Sequence, residues 1–387
     1  MNPKVLFVSS RMAHIENGVA RYDEANGRLI QAIQKALPNL GLLCYDAPKA
    51  HPLFTCEVKP TALYTMPWVG GYPGAWRHRK VIAETLKAAE AEYDMLIVQW
   101  PFHAFWLLPR LRKPTVFHLC ADVHAAARNP VKYRGWRAIP ARLLAALMMN
   151  RLKRAIKNTQ GRVVANGAQL TQQLSNFPAT TTLSSSIWPN EVLPENAVRQ
   201  KWEAQSPKVP ELLFVGRPTL EKGADTLMAA LEILAAEGFP FTMHFVGATQ
   251  ETFQAENPHV ALSPTVQKAV SFAGEVPFGP ALFAIFDAAD VLVLPSRNEG
   301  TPRVLIEARA RGAVVVATQV GGIPTSVEDL ETGLLIPPES PTALAQAIRR
   351  VWQEDQLREQ LMVKGRQLVS NHTVQDFAQD LLNGLPK

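Results

Sequence analysis

Long apolar runs, cysteines and dinucleotide fingerprints are scarce in this 387-residue chain. No stretch approaches the ~18 consecutive apolar residues of a membrane-spanning helix. The first residues, Met1 through Val8, lack the extended apolar segment and small-residue cleavage site of a secretory leader and read as a first strand. Cys44, Cys56 and Cys120 are odd in number and scattered, which excludes a disulfide framework and implies free thiols in a reducing, cytoplasmic setting. Neither half shows G-x-G-x-x-G after its first strand with an acid ~20 residues on, which argues against a nicotinamide-dependent dehydrogenase. What is present, 47% apolar and 19% charged residues, is the composition of an ordinary globular protein and excludes disorder and coiled coil.

The overall charge of +6 hides an asymmetry. Residues 1–190 hold 24 Lys and Arg against 10 Asp and Glu, a net +14, while the remainder holds 16 against 24, a net −8. Such a split implies two domains meeting different partners, the basic one facing something anionic. The excess peaks from Arg128 to Arg162, where Lys132, Arg134, Arg137, Arg142, Arg151, Lys153, Arg154 and Lys157 also occur without one acid. Within that stretch apolar and basic residues alternate at helical spacing, with Tyr133 and Trp136 just upstream, in the manner of an interfacial amphipathic helix. The plainer reading is a core helix burying Leu143, Leu144, Leu147 and Leu152. Nucleic acid is disfavoured, since no zinc-finger spacing, RNA-binding aromatic signature or helix-turn-helix accompanies the charge.

Short apolar runs alternate with helical patterns throughout, the mark of an α/β fold with parallel sheets. Strands are expected at Val5–Ser9, Leu42–Tyr45, Met95–Gln99, Thr115–His118 and Val163–Asn166. A second set is expected at Leu212–Val215, Met243–Val246, Val291–Leu294 and Val314–Ala317. Prolines 189, 194, 207 and 210 suggest a linker between the sets. The expected organisation is an N-terminal domain over 1–190, a hinge over 191–210, a C-terminal domain over 211–368, and a final helix over 369–387 packing back on the first domain. Doubly wound domains bind ligands at the carboxyl ends of their strands.

Two clusters follow such ends. After Val291–Leu294 the chain reads ProSerArgAsnGluGlyThrProArgVal and enters a helix expected to start at Pro302. A helix start binds phosphate through free N–H groups, here those of Thr301, Arg303 and Val304, because Pro302 has none. Glu299 before that site and Glu307 on the helix are carboxylates able to hold diols, since each accepts two hydroxyl hydrogen bonds. After Leu212–Val215 comes Gly216-Arg217-Pro218-Thr219-Leu220-Glu221-Lys222-Gly223, whose two cations suit a diphosphate without a metal. No Asp-x-Asp pair occurs to suggest a metal-held ligand. Gly18, after the first strand, offers either close backbone approach to phosphate or a helix start.

These residues resemble the retaining family 4 glycosyltransferases of the GT-B fold. Glu299 through Glu307 is similar to that family's E-x7-E motif, within Pro295–Pro338, and Gly216-Arg217 to Lys222-Gly223 is similar to its diphosphate clamp. The resemblance implies two Rossmann-like domains facing each other across a cleft, a nucleotide-sugar donor as substrate, and no cofactor or metal. It implies catalytic roles for Glu299, His118, Arg217 and Lys222. Arg217 and Lys222 would neutralise the leaving diphosphate, Glu307 would hold the ribose, and Glu299 the donor sugar. Gly18, Gly216, Thr301, Arg303 and Val304 complete the implied donor contacts. Retention would proceed by front-face attack, the departing phosphate oxygen taking the acceptor's proton. With the basic first half, the expected acceptor is lipid-linked or an envelope glycan, reached at the anionic inner face of the plasma membrane.

Rival readings are a GT-B nucleotide-sugar epimerase, which would form product without an acceptor, and a non-catalytic binder of lipid or nucleic acid, which leaves the second-half clusters unexplained. His118, Cys120, Asp122 and His124 recur at every second residue and would align as metal ligands on a strand, but the strand is expected to end before His124. A buried, hydrogen-bonded His118 without catalytic duty is the plainer alternative.

Overall fold

The computed structural model describes residues 3–128, 138–204 and 209–385. Lys132, Tyr133, Arg134, Trp136 and Arg137 of the basic stretch lie outside them. The chain divides into two compact units, Met1–Ser186 with Val374–Lys387, and Ile187–Thr373.

The first unit is built on a sheet of nine strands: β1 (Val5–Glu16), β2 (Val19–Tyr22), β3 (Gly41–Asp46), β4 (Cys56–Val58), β5 (Ala62–Pro67), β6 (Met95–Trp100), β7 (Thr115–Leu119), β8 (Arg162–Asn166) and β9 (Ala179–Thr182). Seven run parallel in the order β5-β3-β1-β6-β7-β8-β9. Their apolar runs are buried on both faces, as helix-covered parallel strands require, with Leu6, Val8, Val98 and Phe117 fully enclosed. The far end of β1 leaves this plane to form an antiparallel ladder with β2, which in turn pairs β4. The helix Val374–Asn383 belongs to this unit. Its Asp380 accepts a hydrogen bond from the Thr182 hydroxyl at 2.6 Å. None of the three cysteines forms a disulfide.

The second unit holds six parallel strands, β10 (Glu211–Val215), β11 (Thr242–Val246), β12 (Val270–Phe272), β13 (Val291–Leu294), β14 (Val314–Thr318) and β15 (Leu334–Ile336), in the order β12-β11-β10-β13-β14-β15. Chain direction across the sheet reverses between β10 and β13, and the crevice at that reversal is where open α/β sheets take their ligands.

The expected hinge at 191–210 is corrected by the structure. Glu195–Ala204 is a helix of the second unit, with Val198 fully buried. The Leu193 N–H donates to the Ala310 carbonyl at 2.9 Å. The Lys201 ammonium donates to the carbonyls of Phe286, Ala289 and Arg311 at 3.2, 2.7 and 3.2 Å. Those carbonyls terminate the helices Pro280–Ala288 and Val304–Ala310, whose negative dipole ends suit a cation. Burial still pushes the Lys201 pKa down to about 8. Pro194, read as a breaker, instead precedes a helix, where a missing N–H costs nothing.

The helix Ala138–Asn158 is neither wholly interfacial nor wholly core. It buries Ala145, Met148, Met149, Leu152 and Ile156, yet leaves Ile139, Leu143 and Leu147 exposed at 62%, 66% and 46%. Spaced by four, these three form one apolar stripe, so the expectation that Leu143 and Leu147 fill the core is overturned. Arg142 and Arg154 are exposed on the same helix. No helix among the described residues is long and apolar enough to cross a membrane.

Candidate functional site

At the crevice of the second unit, the loop after β10 meets the loop after β13. The Lys222 ammonium lies 2.6 Å from the Glu299 carboxylate, which also accepts a hydrogen bond from the Ser296 hydroxyl at 2.8 Å. The Glu299 side chain is 7% exposed and that of Lys222 35%, so the carboxylate is fixed while the ammonium keeps donors directed to solvent. The two loops are stitched along their length. Arg297 makes a bidentate pair with Asp225 at 2.7 and 2.8 Å, and its N–H donates to the Glu221 carbonyl at 2.8 Å. Asn298 donates to the Glu221 carboxylate at 3.2 Å. Fork-to-fork Arg–carboxylate pairs fix orientation as well as distance, so Lys222 and Glu299 are held in register by their neighbours.

From behind, the loop after β14 supports the same segment. The Gly322 N–H donates to the Gly300 carbonyl at 2.9 Å, and the Thr318 hydroxyl to that of Ser296 at 2.5 Å.

Arg217 stands in the β10 loop with an exposed side chain and no ion pair among the described residues. Gly216, just before it, donates its N–H to the Val246 carbonyl at 2.8 Å, which ends the β10–β11 ladder and frees the following residues to turn outward. The helix expected from Pro302 begins at Val304, with Arg303 as its N-cap. Its first turn is tight, Leu305 N–H reaching the Pro302 carbonyl at 3.3 Å and Ile306 N–H that of Arg303 at 2.9 Å. Proline supplies that first acceptor while its fixed φ delays regular helix by two residues. The N–H groups of Thr301, Arg303 and Val304 donate to no backbone carbonyl among the described residues. Free N–H groups just ahead of a helix suit an anion, and they lie on the same loop as Glu299, which Lys222 contacts. Glu307 lies within this helix and is 7% exposed.

The structure therefore brings Lys222 and Glu299 into contact and places Gly216, Arg217, Thr301, Arg303, Val304 and Glu307 on the loops after β10 and β13 and the helix that follows. His118 and Gly18 belong to the first unit. Asn17-Gly18 is the two-residue turn between β1 and β2, both residues left-handed at φ 50° and 76°. Such Asn-Gly turns match the twist of a hairpin, and this one replaces the alternative of a helix start at Gly18. The next helix, Glu24–Ala36, is capped instead by Asp23.

His118 is 1% exposed, with Nε2 3.2 Å from the Asn166 side-chain oxygen and its ring edge-on to Phe377 at 5.2 Å between centroids. Burial pushes its pKa down to about 4, leaving the imidazole neutral at pH 7. An enclosed ring has no face with which to touch a substrate, so the geometry favours the plainer reading of His118 over a catalytic one. The strand ends at Leu119, and Asp122 caps the helix Val123–Arg128 by accepting from the N–H groups of His124 and Ala125 at 2.8 and 3.0 Å. The alternating His118, Cys120, Asp122 and His124 thus share no strand face. No group of three or more His, Cys, Asp or Glu able to hold a metal occurs among the described residues.

Ser296 and the Arg297–Asp225 pair went unnoticed in the sequence, where serine after a strand and a charged pair 72 residues apart carry no local signal.

Residues 209–354 match the family model described as glycosyl transferases group 1. Among curated relatives, the D-inositol 3-phosphate glycosyltransferase of Corynebacterium glutamicum is 33% identical over 153 residues, 38% of this chain and 35% of its own length. The capsular polysaccharide biosynthesis glycosyltransferase CapM of Staphylococcus aureus is 27% identical over 167 residues, 41% of this chain and 40% of its own. The chain thus spans between a third and a half of the length of these relatives. Solved structures extend the likeness to the whole fold. Sucrose-phosphate synthase of Thermosynechococcus elongatus superposes with TM-score 0.69 at 20% identity, covering 98% of this chain and 96% of that one. HepE of Anabaena, solved in complex with UDP-glucose, superposes with TM-score 0.67 at 17% identity over 99% of both chains. The fold is GT-B, and the matched residues 209–354 lie within its second unit.

Proposed function

We propose that the protein is a retaining glycosyltransferase that moves a sugar from a nucleotide-sugar donor to a lipid-linked or envelope glycan acceptor at the inner membrane face. The observation that carries the transferase reading is the Lys222–Glu299 contact at the β10/β13 crevice, beside Arg217 and the N–H groups at the start of the 304–310 helix. A diphosphate needs cations and amide donors, and a sugar beside it needs a fixed carboxylate for its hydroxyls. In this reading Lys222 turns its spare donors to the diphosphate while retaining Glu299, and Arg217 swings in from solvent. These cations supply the charge that a metal would otherwise bring, so transfer is expected to proceed in EDTA. The departing phosphate oxygen takes the acceptor's proton as the acceptor attacks from the same face.

Incubation with UDP-, GDP-, ADP- and dTDP-sugars tests this reading, with NMR following the anomeric carbon. One donor is expected to yield product of unchanged anomeric configuration only when an acceptor is supplied. Conversion of the sugar without any acceptor would assign an epimerase instead.

The exposed stripe of Ile139, Leu143 and Leu147 beside Arg142 and Arg154 supports the membrane part of the proposal. Apolar side chains enter the headgroup boundary while each Lys or Arg near an anionic surface adds about 1 kcal/mol. Co-sedimentation with liposomes containing about 30% anionic lipid is expected at low salt and is expected to weaken at ~0.5 M, where charge attraction is screened. Equal, negligible binding to anionic and neutral liposomes at low salt would remove the membrane claim and leave the transferase reading standing.

A further inference from the structure

A cavity of about 630 Å³ opens in the first unit, away from the strand ends considered above. It lies between the helix Arg79–Ala91, the short 3-10 helix Phe105–Arg110 and the segment 111–113 leading into β7. It therefore sits at the amino ends of β6 and β7, the pole opposite the one where doubly wound units take substrates. Its floor is aliphatic: Leu86, Leu107 and Leu111 are 4%, 3% and 1% exposed, and Ala83 adds a shallow wall. The volume is that of a small-molecule site rather than a packing defect.

The rim carries Lys87, Arg110, Arg112 and Lys113. None of these four makes an ion pair among the described residues. Of the two acids at the rim, Glu90 is committed to the protein, its carboxylate accepting the N–H groups of Arg112 at 2.6 Å and Lys113 at 3.0 Å. Glu84 and Glu90 together offset two of the four cations, which leaves the rim with a formal charge of +2. The main chain is spoken for as well, Leu111 N–H bonding the Leu108 carbonyl at 3.1 Å and Leu107 N–H that of Ala104 at 2.9 Å. A peptide would find few free N–H donors here. An aliphatic trough with a cationic lip and engaged N–H groups fits a hydrocarbon tail ending in one anionic head.

We infer that this cavity is a binding site for a fatty-acid carboxylate, the chain lying on Leu86, Leu107 and Leu111 and the head meeting Arg110 and Arg112. The stems of the rim arginines extend the apolar wall while their guanidinium groups form charge-assisted bonds to the carboxylate. The site needs neither a nucleotide sugar nor a membrane, so it stands or falls apart from the transferase reading.

The test titrates the full-length protein with decanoate below its micelle concentration, followed by calorimetry and by NMR of carbon-13-labelled carboxylate. Saturable 1:1 binding is expected, with butyrate failing to compete and uncharged decyl maltoside binding at least tenfold more weakly. Ala83→Trp, which fills the trough, is expected to weaken decanoate at least tenfold, and so is the Arg110→Glu, Arg112→Glu double variant. Ala91→Trp, at an exposed position of the mouth, gives a second blocking variant if the first melts at lower temperature than the parent. Absence of saturable binding, undiminished binding in both tryptophan variants, or equal binding of decyl maltoside would each overturn the inference.

Discussion

Glu299→Gln is expected to lower sugar transfer by on the order of 100-fold or more, the usual cost of removing one preorganised electrostatic contact from a reacting centre. The substitution keeps the side chain's size and its acceptor for the Ser296 hydroxyl, so the loop stays in place. What it removes is the charge facing Lys222 at 2.6 Å and one of the two carboxylate acceptors available to sugar hydroxyls. Arg217→Ala is expected to cost as much for a different reason. Its guanidinium is exposed and tied to nothing among the described residues, so its loss leaves stability untouched and withdraws a cation from the leaving diphosphate. Steady-state turnover with the best donor, alongside thermal melting, separates these effects from unfolding. Unaltered turnover in both variants would refute the assignment of the site.

Gly321→Ala is expected to impair transfer by at least tenfold and to lower the melting temperature of the second unit, although residue 321 carries no chemistry. A Cβ built on Gly321 would fall 1.8 Å from the Glu299 carbonyl oxygen, backbone against backbone, at φ +56°. No side-chain rotation relieves such a clash, so the 299–301 segment must move by more than an ångström. Catalytic groups displaced that far lose their alignment with the reacting atoms. The ratio of turnover loss to stability loss is the informative quantity. A variant that melts like the parent and turns over like the parent would show that the Glu299 backbone position is immaterial.

Much of the fold was legible because parallel strands buried on both faces read as short continuous apolar runs. Each of the nine expected strands lies within or against an observed one, as with Val291–Leu294 and its neighbour Val314–Thr318. Six strands escaped notice, and all but β5, a six-residue strand that pairs only with β3, have three or four residues. β4, β12 and β15 have three residues each, and β9 is AlaThrThrThr at a sheet edge. Their pairing is decided by the neighbouring strand rather than by their own composition. The 191–210 segment was misjudged because proline marks both loops and helix starts, and only the burial of Val198 distinguishes them. The basic helix resisted assignment for a geometric reason. Its apolar residues cover more than one face, so periodicity could not tell that Leu152 turns inward and Leu143 outward.

In the candidate site, Glu299, Lys222 and Arg217 stood out as charges at the ends of apolar runs, where a charge has no packing role. Ser296 and Asp225 were not, because their importance is relational: one orients Glu299 and the other orients the arginine that aligns the two loops. His118 left two readings open in the sequence, and its burial favours the plainer one. A histidine at a strand end suggests chemistry, and burial against Asn166 and Phe377 is a tertiary fact that no local pattern announces.

The most direct test of the central claim, that the β10/β13 crevice binds a nucleoside diphosphate through Lys222, is calorimetric titration of the parent protein and Lys222→Ala with UDP, GDP, ADP and dTDP. One nucleotide is expected to bind the parent with 1:1 stoichiometry and to lose at least tenfold in affinity in the variant, about 1.4 kcal/mol or more. Binding of none of the four, or binding that Lys222→Ala leaves unchanged, would contradict the account.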